Sequence, residues 1–235
     1  MINPGTNVES SKKALELSNR FPEVFAGAGI HPNDGTYWQD DSLDQLRMIA
    51  EEIKVIAIGE IGLDFYRDHT DQKLQLEMFE KQLDLAAQME LPVIIHNRDA
   101  DHQIMDMLSS WQRSLESNKS VLADKPGVMH SFSGNEEMAD KALAHNFLIG
   151  ISGPVTFKNA KDLHLFVEDL PLENLLIETD SPFLSPHPER GKRNEPSKVH
   201  LVADKIAELK GIEQEEVNSA STNNAMRLFQ VELAL

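Results

Sequence analysis

Five ionisable side chains fall at the ends of short apolar runs: Ile30-His31, Gly59-Glu60, Ile95-His96, Met129-His130 and Thr179-Asp180. Taken singly, each has an ordinary explanation, since a histidine can be hydrogen-bonded at a strand edge and an aspartate can cap the following helix. Taken together they point elsewhere. Strands that all end in a histidine or a carboxylate would crowd several charges without compensation unless something binds among them. A divalent cation is the natural binder. Glu60, His96, His130 and Asp180 supply oxygen and nitrogen donors suited to Zn²⁺, Mn²⁺ or Mg²⁺. The chain has no cysteine, so thiolate ligands, cysteine nucleophiles and disulfides are excluded.

These residues need elements that bring them together. Apolar, β-branched runs predict strands over Ile2–Thr6, Val24–Ile30, Val55–Ile61, Pro92–His96, Gly127–Ser131, Phe147–Ser152 and Leu175–Asp180. Amphipathic segments predict helices over Glu9–Arg20, Leu43–Glu52, Leu74–Met89, Asp101–Leu108, Glu136–His145 and Ala160–Glu168 between them, with Ser197–Lys210 and Glu213–Phe229 at the end. The polar, proline-rich stretch Pro182–Pro196 reads as a long loop. Such strand–helix alternation suits a doubly wound sheet or a closed barrel. The first junction, Gly5-Thr6-Asn7-Val8-Glu9, is neither a phosphate loop nor a dinucleotide fingerprint. Ionisable groups recurring at strand ends favour the barrel, where those ends share one mouth. The expectation is an α/β fold, a (β/α) barrel of about seven strands, in one domain spanning 1–235.

Hydrophobic residues make up 40% and charged residues 26% of the 235, an ordinary globular balance. No leader-like start and no long apolar stretch is present, which predicts a soluble cytoplasmic protein without a membrane partner. With 22 basic against 39 acidic residues the net charge is −17, which argues against a broad basic nucleic-acid face. Any nucleic-acid substrate must be captured by local cations.

The motifs Gly29-Ile30-His31-Pro32, Ile58-Gly59-Glu60-Ile61-Gly62-Leu63-Asp64, Pro92-Val93-Ile94-Ile95-His96-Asn97-Arg98, Met129-His130-Ser131-Phe132-Ser133-Gly134 and Ile177-Glu178-Thr179-Asp180-Ser181-Pro182 resemble, in order and spacing, the signatures of the TatD family. Lys192-Arg193-Asn194-Glu195-Pro196 extends the match. The resemblance implies a barrel of the metallo-dependent hydrolase kind, a deoxyribonuclease cleaving DNA phosphodiester bonds with one or two divalent cations. By resemblance, Glu60 bridges metals, His96 and His130 bind one of them, and Asp180 serves the other and accepts the proton of the attacking water. His31, Arg98, Arg193 and Asn194 become substrate contacts; independently of the resemblance, Arg67, Lys158 and Lys192 lie with Arg98 and Arg193 in loops after strand candidates, where they could capture phosphate despite the acidic total. Hydrolysis of small esters, amides or lactones, and a weakly active remnant, are the alternatives.

One family feature has no counterpart. Members open on a strand ending in His-x-His, and no two of the nine histidines here are spaced two apart. The expectation is therefore a chain lacking its first βα unit, through truncation or natural loss, with an open sheet edge that a second copy could cover as a homo-oligomer. A single residual metal near His96 and His130 follows from the same reading.

Overall fold

The computed structural model describes residues 1–232. Seven parallel strands form one sheet in chain order, β1 (Ile2–Pro4), β2 (Phe25–Ala28), β3 (Val55–Asp64), β4 (Val93–Arg98), β5 (Gly127–Met129), β6 (Leu148–Ile151) and β7 (Leu175–Ile177). Helices α1 (Val8–Arg20), α2 (Ser42–Ala50), α3 (Gln72–Met89), α4 (Asp101–Ser117), α5 (Glu136–Ala144) and α6 (Lys161–Asp169) alternate with them, and α7 (Val199–Lys210) and α8 (Gln214–Phe229) follow β7. Every strand pairs with its chain neighbour, so the sheet curls as a βα barrel does, with β1 and β7 as its edges.

Strand alternation separates two apolar layers. Val93 and Ile95 of β4, Met129 of β5, Ile149 and Ile151 of β6 and Leu175 of β7 belong to the large core under the helices. Ile94, Val128, Leu148 and Leu176 point the other way, into the sheet's concave side, where Leu228 and Phe229 at the end of α8 join them. Burying a side chain of this size contributes about 1.5–3 kcal/mol. The positions two residues beyond these inward residues are His96, His130, Gly150 and Glu178. The lower interior is therefore filled with hydrocarbon and the level above it with polar groups.

On β3 the alternation must be reset. Ile58 and Ile61 both face the helix layer, although they are three residues apart. The register against β4 slips between them, from Ile58 opposite Val93 to Ile61 opposite Ile95. This extra residue turns Glu60, Gly62 and Asp64 inward together. The strand also continues past the expected Ile61 to Asp64. Gly62 is required there: its φ is +143, and a Cβ would lie 2.0 Å from the carbonyl oxygen of His96.

Other boundaries differ as well. α4 runs to Ser117 rather than Leu108, because Trp111, Gln112 and Leu115 continue its buried stripe. β7 stops at Ile177, so Asp180 lies beyond the strand, in a left-handed conformation with φ of 53. α8 serves the outer edge of β7: the Ile177 amide donates to Ser221 Oγ at 3.0 Å, and Asn224 Nδ2 donates to the carbonyls of Leu175 (2.8 Å) and Leu172 (2.7 Å). The edge groups of Ile177 and Leu175, with no further strand beside them among the described residues, are satisfied by side chains instead. No described helix is long and apolar enough to cross a membrane.

Candidate metal centre

At the C-terminal ends of the strands the side chains of His31, Glu60, His96, His130 and Asp180 meet at the base of a cavity of about 1430 Å³. Glu60 is the hub. Its Oε1 lies 2.9 Å from His96 Nδ1, 3.7 Å from His31 Nε2 and 3.9 Å from His130 Nε2. Asp180 Oδ1 is 3.5 Å from the same His130 nitrogen. The Glu60 amide, freed by the slip in β3, donates to the Gly5 carbonyl at 2.9 Å and fixes the backbone beneath the hub.

The far nitrogen of each of two rings is held by a carboxylate. His96 Nε2 lies 3.2 Å from Asp64 Oδ2, and His130 Nδ1 lies 2.5 Å from Glu178 Oε2. Asp64 is itself buried, accepting from Asn33 Nδ2 at 2.7 Å and from the amides of Tyr66 and Arg67. Glu178 also accepts the amide of Ser131. Gly150 makes room for it, since a Cβ there would come within 3.0 Å of the carboxylate. A carboxylate behind each imidazole fixes its tautomer and turns the other nitrogen inward. Neither Asp64 nor Glu178 carries a role in the sequence reading, although both stand in its motifs. Their inward register, two residues from Gly62 and from Leu176, was the available signal.

Charge follows this wiring. Burial disfavours an ionised His96, but hydrogen bonds to Asp64 and Glu60 outweigh it and push the ring up to about 9. Burial also opposes charge on His130, yet Glu178 and Glu60 raise it well above the usual imidazole range. Glu60, despite its own desolvation, is held far below the carboxylate range by His130 and His96. His31 differs. Burial pulls it below its ordinary value, and its Nδ1 accepts the Asn33 amide at 3.1 Å. In the neutral ring the remaining proton therefore sits on Nε2, facing Glu60.

The donor set can be tested against a cation. Ligand atoms of His31, Glu60 and His96 all lie within 4.8 Å of one another. An imidazole ligand needs a bare nitrogen. His96 Nδ1 and His130 Nε2 qualify, each backed by a carboxylate on its other side, whereas His31 presents an N–H. His130 Nε2, 3.9 Å from Glu60 Oε1 and 3.5 Å from Asp180 Oδ1, adds donors on the other side of the hub, so the oxygen and nitrogen groups gathered round Glu60 are of the kind that suits a divalent cation. Asn33 and Asn97 line the same cavity, and the buried Oδ1 of each has no protein partner among the described residues. Ser131 and Asp180 both hold left-handed backbones, with φ of 44 and 53, where β5 and β7 deliver the site.

The expected substrate contacts divide. Arg98 and Arg67 line the cavity. Arg193, Lys158 and Lys192 do not: they are exposed outside it, and Lys192 pairs with Glu189 at 2.8 Å. Asn194 is buried, its Nδ2 donating to the carbonyls of Thr179 and Phe183 at 2.7 Å each and its Oδ1 accepting the Glu195 amide. With these groups engaged it braces the loop that carries Asp180 instead of reaching outward.

A curled parallel sheet gathering histidines and carboxylates at one mouth defines the class of metal-dependent barrel hydrolases. Within that class the chain belongs to the TatD family: residues 1–230 match the family model described as TatD related DNase. It is 42% identical over 219 residues to a Bacillus subtilis protein named "Uncharacterized metal-dependent hydrolase YabD", covering 93% of this chain and 82% of that one. It is 34% identical to the "3'-5' ssDNA/RNA exonuclease TatD" of Cronobacter sakazakii, covering 97% of this chain and 86% of the relative. The crystal structure of the TatD homologue YjjV from Escherichia coli superposes with a TM-score of 0.89 at 31% identity, covering 98% of this chain and 86% of the other.

Proposed function

We propose that this chain hydrolyses phosphodiester bonds of DNA or a related nucleic acid in the cytoplasm, using a divalent cation held by Glu60, His96, His130 and Asp180. One observation carries the reading: His96 Nδ1 and His130 Nε2 both turn toward Glu60 Oε1 while Asp64 and Glu178 hold their opposite nitrogens. The exonuclease naming of relatives such as the Cronobacter protein supports the substrate class. A cation bound there would neutralise charge growing on phosphate oxygens and acidify water.

The chain's own groups do the rest. Arg98 and Arg67 draw the phosphate into an otherwise acidic molecule. The Nε2 proton of His31 donates to a phosphate oxygen. Asp180 accepts a proton from the attacking water as the water oxygen bonds to phosphorus and the ester P–O bond breaks, the leaving oxygen taking its proton from solvent. The donor set suffices for one ion, with Mg²⁺, Mn²⁺ and Zn²⁺ as the cations to compare.

The test is cleavage of a labelled oligonucleotide by chelator-stripped protein with each cation added back. Activity should return only with metal, and Asp180→Asn should lower kcat by at least about 100-fold, since a general base contributes roughly 10²–10⁴. Full activity in chelator, or in the variant, would overturn the assignment.

A further inference from the structure

Three apolar side chains at the mouth take no part in the centre described above. Phe183 is 68% exposed, Leu165 62% and Leu184 39%, and all three line the cavity. Apolar groups left in water beside a hydrolytic centre mark a contact surface. The loop bearing Phe183 is braced: buried Asn194 holds the Thr179 and Phe183 carbonyls, and the Phe183 amide donates to the Asp180 carbonyl at 2.8 Å. Phe183 and Asp180 thus share one fixed turn.

The β3–β4 side is different in kind. The Arg98 guanidinium carbon lies 3.7 Å from the ring centroid of Tyr66, and that of Arg67 lies 5.5 Å from it. A guanidinium stacked on a ring keeps its N–H edge free and pre-aimed for phosphate oxygens. Elsewhere the lining is acidic, with Asp101, Glu136 and Asp162, so a broad polyanion is repelled. The occupant must carry anionic oxygens for one side and a flat apolar face for the other.

We propose that Phe183 is a base-stacking platform: with the substrate's phosphates on Arg67 and Arg98, one base of the strand lies on the Phe183 ring, at the apolar part of the lining that also holds Leu165 and Leu184. A single strand has an unstacked base to offer, whereas duplex bases are already covered by their own neighbours. The inference rests on the phosphodiesterase reading and names the residue that would hold a base.

The test compares a normal single-stranded oligonucleotide with one whose terminal residues are abasic, using wild type, Phe183→Ala and Phe183→Trp. Binding is read by fluorescence anisotropy and cleavage by initial rates with added cation. Stacking of one base supports roughly a tenfold preference of wild type for the base-bearing strand, in Kd and in KM rather than kcat. Phe183→Ala should close that gap and Phe183→Trp should keep it. Equal affinity of wild type for both strands, or an undiminished gap in Phe183→Ala, overturns the stacking inference. Cleavage of both strands with equal KM would do so while leaving the phosphodiesterase reading intact. A Phe183-dependent binding preference without cleavage under any cation would support the platform and sink the hydrolytic reading.

Discussion

At the scale of single residues, the two rear carboxylates carry the most consequence. Asp64 and Glu178 touch no substrate, yet each orients one imidazole, and loss of such a partner typically lowers metal affinity about 10–100-fold. Asp64→Asn and Glu178→Gln should therefore need correspondingly more cation for half-maximal activity, and recover much of it at saturating metal. A cation titration of the rate checks this, and half-saturation at the wild-type concentration would show that the rings hold their pose unaided. The rings also tie metal binding to pH. With His96 pushed up to about 9 and His130 raised well above its usual range, a cation must displace protons from both. Apparent affinity should fall as pH drops below that value, and calorimetric binding heats should differ between buffers of different ionisation enthalpy. Identical heats would mean that no proton leaves. That His31, Glu60, His96, His130 and Asp180 would come together was legible in the sequence, because a polar group after an apolar run is conspicuous. Glu178 was not, since Asp180 nearby offered itself as that strand's single carboxylate. The burial of Asn194 was not legible, because a polar residue in a loop says nothing about burial.

At the scale of elements, β3 and α8 hold what the site needs. Gly62→Ala would place a methyl 2.0 Å from the His96 carbonyl at φ +143. A cost of at least about 3 kcal/mol is expected, which at 2–4 °C per kcal/mol lowers the melting temperature by roughly 10 °C. An unchanged melting curve would refute the close approach. Asn224→Ala removes two donations to the β7 edge and its lead-in and should cost about 1–3 kcal/mol, while turnover per folded molecule is retained because the site lies at the other end of the strands. Thermal melting and a rate normalised to folded protein separate the two effects. The βα order was readable from periodicity, but these devices were not. The register slip in β3 is a backbone event that alternation only hints at, and the buried Ser221 and Asn224 look like ordinary polar helix residues until β7 lies beside them.

For the whole molecule, charge and metal content decide. A net charge of −17 leaves only Arg67 and Arg98 as cavity cations from the expected set. At roughly 0.7 of a counterion released per neutralised phosphate on single strands, the salt slope of binding should be shallow, about −1 to −2. A much steeper slope would reveal a cationic face elsewhere. The ligand set itself is tested most directly by measuring bound cation per chain, after loading and desalting, in wild type, His130→Ala and His31→Ala. The assignment predicts close to one ion in wild type and His31→Ala, and almost none in His130→Ala. Loss of the ion from His31→Ala with retention in His130→Ala would place the cation on the other histidine and contradict the assignment.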